Sequence, residues 1–118
     1  MRCVIAFVVI CGFAASAAGE PASAEAEINA LLAYVASLQT ATFIRNGTAH
    51  TSAEAVQHLR AKWQTAGTRV DSAESFIDHC ASGSWLTGQP YLIRFADGHT
   101  EESAVVLHRK LAKLRAKR

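Results

Sequence analysis

The stretch that decides the fold is Phe43–Lys62, FIRNGTAHTSAEAVQHLRAK. Ala41 to Arg45 is β-branched and aromatic, which predicts a short strand. Asn46-Gly47 follows it, and both residues tolerate the positive φ of a tight turn. Thr51-Ser52-Ala53-Glu54 then reads as a capping box: Thr51 accepts from the amide of Glu54, and the Glu54 carboxylate reaches back. The helix so started runs to about Ala66, with Val56, Leu59 and Trp63 on its buried face and Gly67 placed to end it.

Working outward, Ile28, Leu31, Leu32, Val35 and Leu38 recur at helical spacing and predict a preceding helix, with Glu25 and Glu27 in its first turn. A third helix is expected over about Ser72–Ala81, with Ala73, Phe76, Ile77 and Cys80 on one side. Ser82–Pro90 (SGSWLTGQP) is a loop by composition. Tyr91–Phe95 (YLIRF) is the second strand, Asp97-Gly98 a turn, and Glu101–Ala116 a fourth helix that turns Leu107, Leu111 and Leu114 inward. The expected fold is mainly α (α+β): about four helices with a small two-stranded, antiparallel sheet. No repeat, low-complexity tract or second-domain linker interrupts it.

The beginning of the chain reads differently. Met1-Arg2 is positive, Cys3 to Ala18 carries no charge, and Ala15-Ser16-Ala17 fits a small-x-small cleavage site. That pattern is a signal peptide over residues 1–17, followed by one globular domain over 18–118. Ser16-Ala17-Ala18 and Ala22-Ser23-Ala24 are alternative exits. Cleavage removes Cys3 and Cys11 and leaves Cys80 alone, so no intramolecular disulfide is possible and the core must carry the stability. An exported domain, not an integral membrane protein, is expected.

Twelve Lys+Arg against ten Asp+Glu give a net charge of +2, which argues against a nucleic-acid binder. The cations concentrate in Arg109–Arg118, a run without acids. Opposite its leucines this helix presents a basic face. That face is either solvated or able to dock on anionic envelope surfaces.

Two stretches together resemble a known family: Phe43–Lys62 and Arg69–Arg94, RVDSAESFIDHCASGSWLTGQPYLIR. The shared pattern is aromatic-aliphatic-Arg-Asn-Gly, His-Leu-Arg-x-Lys, then Ala-Glu-x-Phe-Ile, Ala-Ser-x-Ser, a Thr-Gly and Pro-Tyr. It resembles the YfeK-like family of small proteobacterial envelope proteins, a domain of unknown function. The resemblance implies a periplasmic protein and implies no reaction. The chain departs from the pattern at Ser82-Gly83-Ser84-Trp85, where the family has Ser-rich runs, and in its more basic last helix.

Candidate site residues are the polar ones that lack a core role. The Arg45-Asn46-Gly47 turn, His50 and the loop carrying Ser82, Ser84, Trp85, Gly88 and Tyr91 form the expected ligand- or partner-facing surface. An arginine beside a tight turn can present its fork of donors to a carboxylate or phosphate. Its plainer role is a local pair. His58 and Lys62 share a helix side with Glu54. A stripe of mixed charge is ordinarily a solvated face. His50, Glu54 and His58 could supply three metal ligands, but Lys62 would repel the ion and no HExxH occurs, so neither metal nor cofactor is expected. A hydrolase would need Ser82, Ser84 or Thr87 with a histidine and an acid such as Asp78, and no G-x-S-x-G elbow is present. The reading is a non-catalytic periplasmic interaction module for an envelope protein or small ligand. The alternatives are a small envelope hydrolase or metal-assisted enzyme, and electrostatic docking through the last helix.

Overall fold

The computed structural model describes residues 22–117. The expected signal peptide, its cleavage site, Cys3 and Cys11 lie outside these residues.

Helix α1 spans Ala24–Ser37. Ser23 caps it, its hydroxyl accepting from the Ala26 amide at 3.1 Å. Ile28, Leu31, Leu32 and Val35 are buried on one side. Strands β1, Thr42–Arg45, and β2, Thr48–His50, follow as a hairpin with Arg45 opposite Thr48. Asn46 at φ 52° and Gly47 at φ 78° make the turn. Two left-handed residues give a connection whose twist matches the strands.

Helix α2, Ser52–Ala66, begins with the expected reciprocal cap. The Glu54 amide donates to the Thr51 hydroxyl at 3.1 Å, and the Thr51 amide to the Glu54 carboxylate at 2.9 Å. After a 3-10 turn at Gly67–Arg69, helix α3 covers only Ala73–Phe76, capped by Ser72 and Ser75. The chain then widens into a π turn over Ile77–Ala81. The third helix thus lies where the apolar stripe predicts but changes its winding midway. The widened turn leaves Phe76, Ile77, Cys80 and Ala81 all buried.

Strands β3, Leu92–Arg94, and β4, Thr100–Glu102, make a second hairpin, and helix α4 runs over Ser103–Ala116. The sheet is fully antiparallel with order β2-β1-β3-β4. It therefore has four strands, not two. β1 and β3 are the expected pair, with Phe43 opposite Ile93. Each is extended by a three-residue polar strand, Thr-Ala-His or Thr-Glu-Glu, that takes strand form only by pairing. For the same reason α4 starts at Ser103 rather than Glu101.

The helices pack on one another and on the sheet through a single core in which Leu31, Phe76, Ile77, Cys80 and Ile93 are fully buried. Cys80 is a free thiol inside it. Trp63 meets Phe76 edge to face at 5.7 Å. Arg115 on α4 ties three helices together: it grips buried Glu27 on α1 with two bonds of 2.9 Å and also holds Glu74 on α3. Among the described residues no helix is long and apolar enough to cross a membrane.

Candidate functional site

The loop between the π turn and β3 folds back over α2. Four main-chain bonds and contacts shape it: Ser84 N donates to Gln89 O, Gly88 N to Ser84 O, Tyr91 N to Ser82 O, and Gly83 bridges to Pro90. Gly83 is required by space. A Cβ there would stand 2.7 Å from the Gln89 carbonyl oxygen.

The loop is pinned to the first hairpin through Asn46. The Thr87 hydroxyl donates to Asn46 Oδ1 at 2.7 Å, and Asn46 Nδ2 donates to the Ser84 hydroxyl at 3.4 Å. It is pinned to α2 through Lys62, which the sequence places on a solvated stripe and the structure buries, leaving it 6% exposed. Lys62 Nζ donates to the Gly83 carbonyl at 2.8 Å and to the Tyr91 hydroxyl at 2.7 Å. The Trp85 ring centroid lies 4.6 Å from the same nitrogen, a cation–π distance. The indole is held in place by its own bond to the His79 carbonyl, 2.6 Å.

Tyr91 passes the chain of bonds on. Its hydroxyl lies 3.0 Å from His58 Nε2. Because the ammonium can only donate, the phenol oxygen accepts from Lys62 and its hydrogen goes to His58. That assigns the His58 proton to Nδ1. The electrostatics agree with a neutral imidazole. Burial first, then the nearby charges of Arg45, Lys62 and His50, pull the His58 pKa down to about 4. Burial, reinforced by Arg45 against an opposing effect of Cys80, lowers Lys62 to about 8. Tyr91 is pushed up, again chiefly by burial.

Arg45, Asn46, His58, Lys62, Ser84, Trp85 and Tyr91 line one open cleft of about 380 Å³, together with Ala61, Thr65 and Leu86. Leu86 is 91% exposed at the rim. Gly47, His50, Ser82 and Gly88 are not among its walls. Gly47 turns the hairpin and Gly88 shapes the loop. Ser82 bonds the Asp78 carbonyl at 2.7 Å, and His50 faces Glu54 at 3.5 Å. Ala61, Thr65 and Leu86 are not among the site residues the sequence predicts; for the two on α2 a signal exists. Their signal is the i, i+3, i+4, i+7 spacing of 58, 61, 62 and 65, which puts all four on one helix face.

The charges of the cleft are one-sided. Its walls include Arg45 and Lys62 and no carboxylate. Among the described residues neither cation forms an ion pair with an acid. The residues weighed for other chemistries separate. His50 and Glu54 meet, while His58 turns to Tyr91. Among the described residues no group of three or more His, Cys, Asp or Glu side chains is placed to hold a metal ion. The Ser84 hydroxyl accepts from the Leu86 and Thr87 amides at 3.2 Å, and the Asp78 carboxylate faces His108 at 3.1 Å.

A family model described as a family of unknown function (DUF5329) matches residues 22–115. The chain belongs to that family. An uncharacterized protein YfeK of Salmonella typhimurium (strain LT2) is 52% identical over 67 residues, which is 57% of this chain. The chain spans about half of that curated relative, 56% of its length. The membership agrees with the pattern of Phe43–Lys62 and Arg69–Arg94. No solved structure matches the chain.

Proposed function

We propose that the chain is a periplasmic binding module whose cleft takes a small anionic ligand, a carboxylate or phosphate. One observation carries this reading. Two cations, one of them almost wholly buried, face the same cleft, and among the described residues no acid pairs with either. Holding an uncompensated charge out of water is costly. Arg45 and Lys62 each disfavour the other, and an anion between them would relieve both. Arg45 supplies a planar fork of donors, and Asn46, Ser84 and Thr65 add neutral polar groups at the walls.

Binding is favoured over hydrolysis because the hydroxyls of Ser82, Ser84 and Thr87 engage main-chain groups and Asn46 rather than a histidine. Docking through α4 is less supported. Arg109 pairs with Glu101, Arg115 with Glu27 and Glu74, and Lys110 lies over the Tyr34 ring at 4.8 Å. Export rests on the charged start, apolar run and small-residue exit of residues 1–18.

The test is a calorimetric titration of the purified chain with lactate and with inorganic phosphate. At least one is expected to bind, and Arg45→Ala is expected to weaken it about tenfold or more. Absence of binding by both, or binding indifferent to Arg45, would refute the reading. Mass spectrometry of exported protein beginning at Met1 would refute the periplasmic placement.

A further inference from the structure

We propose that Lys62 is a reactive amine that captures small 2-oxo carboxylates as an imine, with Arg45 receiving the carboxylate. The inference rests on the anion-binding reading of the same cleft and adds the chemical class of the ligand.

The geometry favours the lysine as a nucleophile. Its nitrogen is fixed by two hydrogen bonds, to the Gly83 carbonyl at 2.8 Å and the Tyr91 hydroxyl at 2.7 Å. A neutral amine keeps two N–H groups, enough to retain both bonds. Loss of the third proton then places the lone pair on the remaining side, away from those two oxygens. Among the described residues no carboxylate pairs with the ammonium to hold that proton. Arg45 and the burial of the side chain both favour its loss, and the pKa falls to about 8. Lowering an amine by desolvation and a cationic neighbour is a standard means of activating it for imine chemistry.

The step balances without a further reactant. The Lys62 lone pair attacks the ketone carbon and forms an N–C bond while the carbonyl π bond opens onto oxygen. That oxygen takes one of the protons released by nitrogen, giving a carbinolamine. The C–O bond then breaks, the hydroxide leaves as water with the proton of the Tyr91 phenol, and nitrogen's second proton returns to the phenolate. Amine and ketone become imine and water, and nothing is oxidised or reduced. Tyr91 is within reach of this exchange, its oxygen bonded to Lys62 at 2.7 Å; its hydrogen, held by His58 Nε2 at 3.0 Å, turns to the leaving oxygen for the transfer. A carboxylate on the carbon next to the ketone is short enough to stay in the same cleft, where Arg45 is the second cation and, among the described residues, has no acidic partner.

The probe is pyruvate with cyanoborohydride at neutral pH on the purified full chain, followed by peptide mapping. Lys110, Lys113 and Lys117 are the other lysines and serve as internal controls. Lys62 is expected to be labelled at least about tenfold faster than any of them, since an amine of pKa 8 is far more often neutral than an ordinary lysine. Arg45→Ala removes a charge that helps free the Lys62 amine, so it is expected to slow labelling by both reagents, and by pyruvate several-fold more than by acetaldehyde, which has no carboxylate. Equal labelling of the four lysines overturns the proposal. Lactate binding by calorimetry without a Lys62 adduct overturns the imine and leaves the anion site. Failure of both removes the two readings together.

Discussion

Lys62→Met separates the cost of the buried charge from the contacts that surround it. The fold lowers the Lys62 pKa from the ordinary 10.5 to about 8. At neutral pH that corresponds to about 3 kcal/mol of stability lost to holding the proton. Methionine removes this cost while filling a similar volume. It also leaves the Gly83 carbonyl and the Tyr91 hydroxyl without their lysine donor, together a loss of about 1–3 kcal/mol. The variant should therefore be between equal to wild type and about 2 kcal/mol more stable at pH 7. The decisive quantity is how that difference changes with pH. The folded chain releases the Lys62 proton near pH 8, while the unfolded chain keeps it to about 10.5. Across this window the unfolded state binds more protons, so wild-type stability rises with pH relative to the variant. The gain between pH 7 and 10 is about 2 kcal/mol. Burial raises Cys80 and Tyr91, which titrate the opposite way; that part is common to both proteins, while loss of the Lys62 charge raises Cys80 further in the variant. Urea unfolding followed by tryptophan fluorescence at several pH values measures it. A wild-type minus variant difference that stays constant from pH 7 to 10 would refute the account of a strained, unpaired ammonium.

His58 governs the acid side. Its folded pKa, near 4, lies below the ordinary 6.5, so stability is full above pH 6.5 and is lost as pH falls toward 4, by up to about 3 kcal/mol. His58→Gln should flatten that limb in urea unfolding at pH 4.5 and 7, and an unchanged limb counts against the neutral imidazole. Arg115→Ala deprives buried Glu27 of its two bonds and should lower stability by about 2–3 kcal/mol at pH 7, read as a lower thermal midpoint. Adding Glu27→Gln should restore part of the loss. Gly83→Ala forces a Cβ onto the Gln89 carbonyl. It should cost about 1–3 kcal/mol and shift the tyrosine and histidine NMR signals of the cleft, and unaltered spectra would contradict the packing of this loop.

What was legible in the sequence is what local chemistry specifies. The Thr51–Glu54 cap, the Asn46-Gly47 turn and the apolar stripe of α1 each involve residues within a few positions of one another, and each lies where the spacing predicts. β2 and β4 were not legible. Three residues with at most one alanine among them are too short to register an alternation, and only the pairing of Ala49 with Ile44 and of Glu101 with Ile93 makes them strands. The two turns held the missing clue, because a two-residue Asn-Gly connection needs a strand on its far side. The burial of Lys62 was hidden for a different reason. Glu54, His58 and Lys62 share a helix side, but the Ser82–Tyr91 loop covers only the later end of it. That covering depends on Asn46 and Tyr91 meeting α2 from separate parts of the chain. The π turn at Ile77–Ala81 escaped as well, since a stripe four or five residues long fits both windings.

The seam between β1 and β3 has a consequence for how the protein acquires its cleft. It joins segments about 50 residues apart, a separation that slows closure during folding. Arg45 and Asn46 arrive with the earlier hairpin and Tyr91 with the later one, so a chain whose hairpins have not zipped together has no cleft to offer. Any molecule that settled there would act as a clasp, binding only the chain in which the two hairpins are joined and so favouring that join.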